Sequence, residues 1–202
     1  MSESKESAVQ TEEQKPHRFL KDTWEIVKVL IISLAIVLPI RYFIVQPFIV
    51  RGQSMEPNFH ERDYLIIDEF SYYFRQPERG EVVVFRYPRD PSQFFIKRIV
   101  GLPGEKVEIQ NGRIKIINKE FPNGFVLQES YLSPPNHPSH PDELISLTPT
   151  HYFVMGDNRD ASSDSREWGP LDRGFMVGRV VLRAWPLEKF GTFSPVPTTP
   201  SP

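Results

Sequence analysis

One stretch constrains this chain more than any other: Trp24 to Val45, WEIVKVLIISLAIVLPIRYFIV, an apolar run behind a polar N-terminus. Its charge-free centre, Val29 to Ile40, is short. Carried through Ile26 and Lys28 on one side and Arg41 to Val45 on the other, it covers about 20 positions, and a helix of that length spans the ~30 Å of a bilayer's hydrocarbon. Lys28 and Arg41 fall near the ends, where long cationic side chains reach back to water, and Trp24 and Tyr42 fall where interfacial aromatics sit. Three structures compete for the segment: a buried core helix, a signal peptide that is cleaved off, and an uncleaved single-pass anchor. A soluble domain rarely starts with so one-sided a run, and no small-x-small cleavage site follows in RYFIVQPFIVRGQ, so the anchor is preferred. Lys15, Arg18, Lys21 and Lys28 precede it, against Arg51 and Arg62 beyond it, with Arg41 inside the exit. That bias places the N-terminus in the cytoplasm and residues 46 onward across the membrane.

The flanking regions read differently. Residues 1–23 carry no apolar period and are expected to be a disordered cytoplasmic tail. From Pro47 the pattern turns to β. Tyr64–Asp68, Val82–Arg86, Phe94–Val100, Tyr152–Met155 and Val177–Trp185 are short runs of β-branched and aromatic residues, separated by Pro, Gly and Asp clusters such as YPRDP and GLPG. Twenty prolines against 11 glycines point the same way, away from an all-helical protein. Val107–Ile117 is the clearest local unit. Asn111-Gly112 suits a type I′ turn, and that register pairs Ile109 with Ile114 and Val107 with Ile116 on one face, with Glu108 opposite Lys115 on the other. Residues 119–150, with proline crowded into their second half and no clean period, read as a variable surface excursion, and residues 195–202 as a proline-rich tail. The expected class is mainly β with one N-terminal transmembrane helix, residues 46–194 forming an extracytoplasmic domain.

Several chemistries are excluded. There is no cysteine, hence no disulfide, thiol catalysis or cysteine-based metal site. A formal charge of −2 gives no broad grip on nucleic acid. GxxxxGK[ST], GxGxxG and HExxH are absent, as is a GxSxG elbow. Of the five histidines, only His137 and His140 have a helical ligand spacing, and prolines surround them; no metal and no cofactor are expected.

Three segments stand out instead. Arg51-Gly52-Gln53-Ser54-Met55-Glu56-Pro57 holds a serine just beyond the anchor, after a glycine that permits a tight turn and before a stiffening proline. In Phe94–Gly104, FFIKRIVGLPG, strand alternation puts Lys97 on one face with Phe95 and Ile99 while Arg98 points the other way. An ammonium among apolar neighbours is held toward its neutral form, which can act as a general base. Gly156–Gly169, GDNRDASSDSREWG, is dense in hydrogen-bonding groups directly after an apolar strand. Taken singly, each has a plainer use: a turn serine, a lysine guarding a strand edge, a solvated Asx-rich turn.

Together they resemble the type I signal peptidases (leader peptidases), membrane-anchored serine proteases with a Ser/Lys dyad. The SMxP element appears as Ser54-Met55-Glu56-Pro57, RGDxVxF as Arg79 to Phe85, KRxxGxPG as Lys97 to Gly104, and GDNRxxSxDSRxxG as Gly156 to Gly169. The resemblance implies a core of coiled antiparallel β-sheets. It implies Ser54 as nucleophile, Lys97 as general base, Ser162 as the serine that orients the base, and Asp164 with Arg166 as a bracing ion pair. Phe48, Val50, Met55, Phe95 and Ile96 fall where the family lines shallow pockets for the Ala-x-Ala end of a signal peptide. The oxyanion is assigned to the Ser54 N–H and to position 52, where Gly52 stands in place of the serine that some members carry. Glu81 replaces the more usual Asp. The implied partners are the signal peptides of secretory preproteins and the lipid bilayer; no feature speaks to oligomeric state. Two rivals share parts of the pattern. Self-cleaving repressor-type proteases use the same dyad but carry a DNA-binding segment in place of an anchor. A catalytically lapsed, membrane-tethered β domain would bind exported chains without cutting them.

Overall fold

In this computed structural model the described residues are 16–43, 45–132 and 141–195, with side chains described from Thr23 but not over 39–46. The expected tail before residue 16, most of the proline-rich end, and His137 and His140 lie outside them. The chain divides into two compact units, Met1–Arg41 and Tyr42–Pro202.

The first unit is helical. Helix α1 runs Pro16–Phe43, so it starts eight positions before Trp24, and its opening proline fits the first turn, where no N–H partner is needed. Val29, Leu30, Ile31, Ile32, Leu34, Ile36, Val37 and Leu38 are all exposed, on successive faces of the helix. Among the described residues, no helix is long and apolar enough to cross a membrane.

The second unit is antiparallel β. Its strands are β1 (Val45–Ile49), β2 (Tyr64–Asp68), β3 (Val82–Tyr87), β4 (Asp90–Gly101), β5 (Lys106–Gln110), β6 (Arg113–Ile117), β7 (Phe125–Val126), β8 (Glu143–Ser146), β9 (His151–Met155), β10 (Leu171–Asp172), β11 (Met176–Trp185) and β12 (Gly191–Thr192). One eight-stranded sheet has the order β1-β2-β11-β3-β4-β9-β10, with β12 on β11; a four-stranded sheet has the order β7-β6-β5-β8. Helix α2 is a single turn, Ser165–Trp168.

Burial follows the sequence pattern. Val82-Val83-Val84-Phe85 is apolar without alternation because β3 is covered on both faces: Val82 and Val84 belong to one cluster with Val50, Met55, Phe59 and Leu65, while Val83 and Phe85 belong to another with Ile99, Tyr152 and Val154. The β5–β6 hairpin has the expected register, Ile109 opposite Ile114 and Glu108 opposite Lys115. Asn111 and Gly112 have φ of 48° and 74°, as a type I′ turn needs. The stretch expected to be a surface excursion is more integrated than its composition suggests. Leu127 and Leu147 enter a core cluster with the hairpin, and Tyr131 is buried.

Candidate active site

Two strands converge on one point. β1 leads through Val50 and Arg51 into the loop carrying Ser54, and β4 carries Lys97. The loop is pinned at both ends: Val50 N–H donates to the Asp63 carbonyl at 3.0 Å, and Asn158 N–H donates to the Ser54 carbonyl at 3.0 Å. Gly52 has φ of +80°, a conformation that suits glycine, and the space beside it is open. No other group of the described residues takes the Ser54 N–H. Because β4 is paired with β3 along its length, with Lys97 opposite Val83, the lysine side chain has a fixed origin.

Lys97 Nζ lies 2.8 Å from Ser54 Oγ and donates to the Ile96 carbonyl at 3.0 Å. The residue is 3% exposed. Burial lowers its pKa to about 8; the Arg166 charge pushes the same way, and Asp164 and Asp157 oppose it. Of the two apolar neighbours expected on its face, Phe95 and Ile99, Phe95 lies beside the amine, with Nζ 5.3 Å from its ring centroid. A serine hydroxyl beside a buried, easily neutralised amine is the arrangement that activates a weak nucleophile.

The polar loop after β9 braces this pair. Asp164 caps α2 by accepting from the Arg166 N–H, and its carboxylate also receives Arg166 Nε and Nη2, both at 2.8 Å, and the Gly156 N–H at 3.0 Å. Burial by itself would raise the Asp164 carboxyl, but these bonds and the Arg166 charge hold it below the usual carboxylate range. Gly156 has no room for a side chain: a Cβ there would collide with Ser162 Oγ and with the Ser54 carbonyl oxygen. Ser162 therefore packs beside the nucleophile's backbone. It also favours the ionised Asp164, yet its buried hydroxyl lacks a partner of standard geometry. No hydrogen bond joins it to Lys97; the second contact of Nζ is the Ile96 carbonyl.

On the opposite face of β4 lies a network that sequence reasoning missed. Arg98 grips Asp157 through Nε at 2.8 Å and Nη2 at 2.7 Å, and Asn58 Nδ2 donates to the same carboxylate at 2.8 Å. Glu129, from the 119–150 segment, accepts from Arg159 Nη1 at 3.1 Å and from Tyr131 OH at 2.7 Å. The signal was present in the alternation that turns Arg98 away from Lys97, but its partners come from distant loops.

A cleft of about 780 Å³ runs from the dyad between β1 and β4. Phe48, Val50, Phe95 and Ile96 line it as expected, joined by Leu65, Val84 and Phe94, which were not expected. Met55 is placed differently from the others. It does not line the cleft; it is 1% exposed and packs in the cluster beneath, because the turn after Ser54 folds its side chain inward against Phe59 and Leu65. Among the described residues no cluster of His, Asp and Glu could hold a metal ion.

Comparison with known proteins gives a family model, signal peptidase, peptidase S26, that matches residues 23–185. A signal peptidase I of Leptolyngbya laminosa is 36% identical over 180 residues, covering 85% of this chain and 84% of the relative. A thylakoidal processing peptidase 1, chloroplastic, of Arabidopsis thaliana is 34% identical over 159 residues, covering 74% of this chain and 44% of that protein. Among solved structures, a signal peptidase I of Enterococcus faecalis aligns at 30% identity with a TM-score of 0.43, covering 52% of this chain and 97% of the other.

Proposed function

Because the chain belongs to the signal peptidase family, peptidase S26, we propose that Ser54 and Lys97 are the dyad with which it cuts. Its activity is that of a serine endopeptidase removing signal peptides from secretory preproteins. The observation that carries the site assignment is the 2.8 Å approach of a buried amine to the Ser54 hydroxyl.

Neutral Lys97 takes the Ser54 proton as Oγ attacks the carbonyl carbon at the end of the signal peptide. The tetrahedral intermediate collapses, the C–N bond breaks, and Lys97 returns the proton to the leaving amine. Water then attacks the acyl ester, losing its proton to Lys97; the bond to Ser54 Oγ breaks, Lys97 returns the proton to Oγ, and the signal peptide leaves with a free carboxyl end. The oxyanion is received by the Ser54 N–H at the edge of the cleft. Gly52, beside it, supplies the backbone turn that presents this N–H and no hydroxyl. Ser162, Asp164 and Arg166 act on the geometry: the Asp164–Arg166 pair anchors the loop, and the Ser162 hydroxyl, with no fixed partner, orients the base as substrate enters. Phe48, Val50, Phe95 and Ile96 form the floor and walls that admit small side chains.

Helix α1 is the membrane anchor in this reading. Between Val29 and Leu38 exposed apolar side chains fall on successive faces of the helix, which suits a lipid surround. The excess of basic residues before it places residues 46 onward, with the dyad, on the outer side.

Cleavage of a preprotein bearing an Ala-x-Ala site, in detergent micelles, tests the assignment. The native chain should cut after the second alanine, and Ser54→Ala and Lys97→Ala, both folded, should not. Full activity in Lys97→Ala would overturn the base assignment.

A further inference from the structure

The loop that carries Ser54 is closed at its neck and tied to β11 by a guanidinium. At the neck, Val50 N–H donates to the Asp63 carbonyl at 3.0 Å, and Arg62 N–H donates to the Val50 carbonyl at 2.9 Å. Asp63 is buried; its carboxylate accepts the His60 N–H at 3.0 Å and pairs with Arg183 Nε at 2.9 Å. The same guanidinium donates through Nη2 to the Asn58 carbonyl. Asn58 N–H and Phe59 N–H both donate to the Met55 carbonyl, at 3.1 Å and 2.9 Å, so the residues that follow Ser54 form one compact turn. Arg183 therefore holds that turn at its far end and the loop at its neck.

Arg183 reaches this place because β11 is irregular. Its pairing with β2 shifts between Val180 and Leu182 and again between Arg183 and Trp185. In an unbroken strand Val180 and Arg183 would face opposite sides, yet both are buried, and Val180 packs in the cluster with Met55 and Phe59. The guanidinium lies 5.4 Å from the Phe59 ring centroid and 5.2 Å from that of Phe193, and the two rings are 4.5 Å apart. Phe193 follows β12, which pairs with β11, and its N–H donates to the Val181 carbonyl at 2.9 Å. A planar cation that meets two acceptors and two rings is held in one orientation, which the point charge of a lysine does not reproduce. A buried ion pair adds little net stability over apolar packing, so its distinct contribution here is geometric.

We propose that Arg183, backed by Phe193, is a positioning residue for the nucleophile. It fixes the Ser54 loop on β11 and so keeps Oγ at bonding distance from Lys97 Nζ, whose own place is set separately by the pairing of β4 with β3. The inference rests on the peptidase reading above. Arg183 does not line the cleft, so its loss acts on the chemical step and leaves substrate binding as it is. A reacting atom displaced by about 1 Å can lose ~100-fold in rate.

The test measures kcat and KM for a preprotein with an Ala-x-Ala site, using the full chain in detergent well below the melting temperature of every variant. Arg183→Met should lower kcat about 100-fold, Arg183→Lys about tenfold and Phe193→Leu about threefold, each with KM within about twofold of native. Ile114→Val, a small destabilising change in the core beside the β5–β6 hairpin, should leave both constants unchanged. A native kcat in folded Arg183→Lys, a loss confined to KM, or an equal fall of kcat in Ile114→Val overturns the positioning role and leaves the peptidase reading intact. Should the Arg183 variants not fold, Phe193→Leu decides: a native kcat there overturns the proposal. A native chain that does not cut the preprotein overturns the peptidase reading and the positioning role with it.

Discussion

Lys97 Nζ and Ser54 Oγ meet at 2.8 Å although 43 residues separate them in the chain. The contact joins the turn after one strand to the middle of another, and among the described residues Lys97 forms no ion pair. Substituting either should therefore cost nearly the whole chemical step. Ser54→Ala and Lys97→Met are each expected to lower kcat by ~10⁴-fold or more, and the double variant should lose little beyond that, because the two act as one unit. Single-turnover kinetics on a preprotein would show it; additive losses would mean that they work separately.

The same lysine sets the pH dependence. With a pKa lowered to about 8 by burial, the base is half neutral near that pH. Activity should rise tenfold per pH unit below about 8 and flatten above it. A kcat/KM profile from pH 5 to 10 checks this, and a flat acid limb would remove Lys97 as the base.

Stability should follow in a defined direction. In the unfolded chain Lys97 keeps its proton up to its ordinary value of 10.5, whereas in the folded chain it releases it near 8. Between those values the unfolded state binds more protons, so its contribution to stability rises with pH across that window. Below pH 8 the burial of an ammonium costs about 3 kcal/mol, from ~1.4 kcal/mol per pKa unit. Denaturant melts of native and Lys97→Met protein at pH 7 and pH 10 should differ in this sense, the variant gaining most at pH 7.

Asp164 and Arg166 are both buried, with side chains 0% and 1% exposed. Asp164→Asn leaves a guanidinium buried without its counter-charge and should destabilise the domain by about 3–5 kcal/mol. Activity should fall further than the folded fraction does, since the loop that carries Gly156 and Ser162 against Ser54 loses its anchor. Activity per folded molecule, measured alongside a thermal melt, separates the two effects.

Met55 separates packing from recognition. It faces the core, so Met55→Ala should cost about 2–5 kcal/mol through the cavity left behind. The choice between Ala and larger residues at the end of the signal peptide should stay as in the native enzyme. Phe95→Ala, on the cleft wall, should do the reverse. Substrate competition at 20 °C, well below the melting of both variants, tells them apart.

Much of the fold was legible in the residues, and the reason differs from element to element. The hairpin around Asn111-Gly112 was readable to the residue because turn chemistry and cross-strand pairing are local and agree. β2, β3 and β11 were readable because β-branched and aromatic runs have few other uses. The 119–150 segment was not, because Leu127, Tyr131 and Glu129 reveal their burial only once the hairpin sheet and Arg159 are in place. The helix boundary at Pro16 was missed because a polar first turn has no apolar period to mark it.

The sequence by itself determined the glycine-preceded serine turn at Ser54, the alternation that turns Lys97 and Arg98 to opposite faces, and the polar loop that follows β9. These depend on residue type and on spacing within single elements. Only the tertiary structure decided how the groups are used. It turned Met55 inward, opened the cleft toward Phe94, left the Ser162 hydroxyl beside Ser54 instead of on the lysine, and put Asp157 against Arg98. Each of these depends on contacts between segments far apart in the chain. The lowered pKa of Lys97 depends on both: the sequence supplies the apolar neighbours, but only close packing removes the water that would otherwise keep the amine charged.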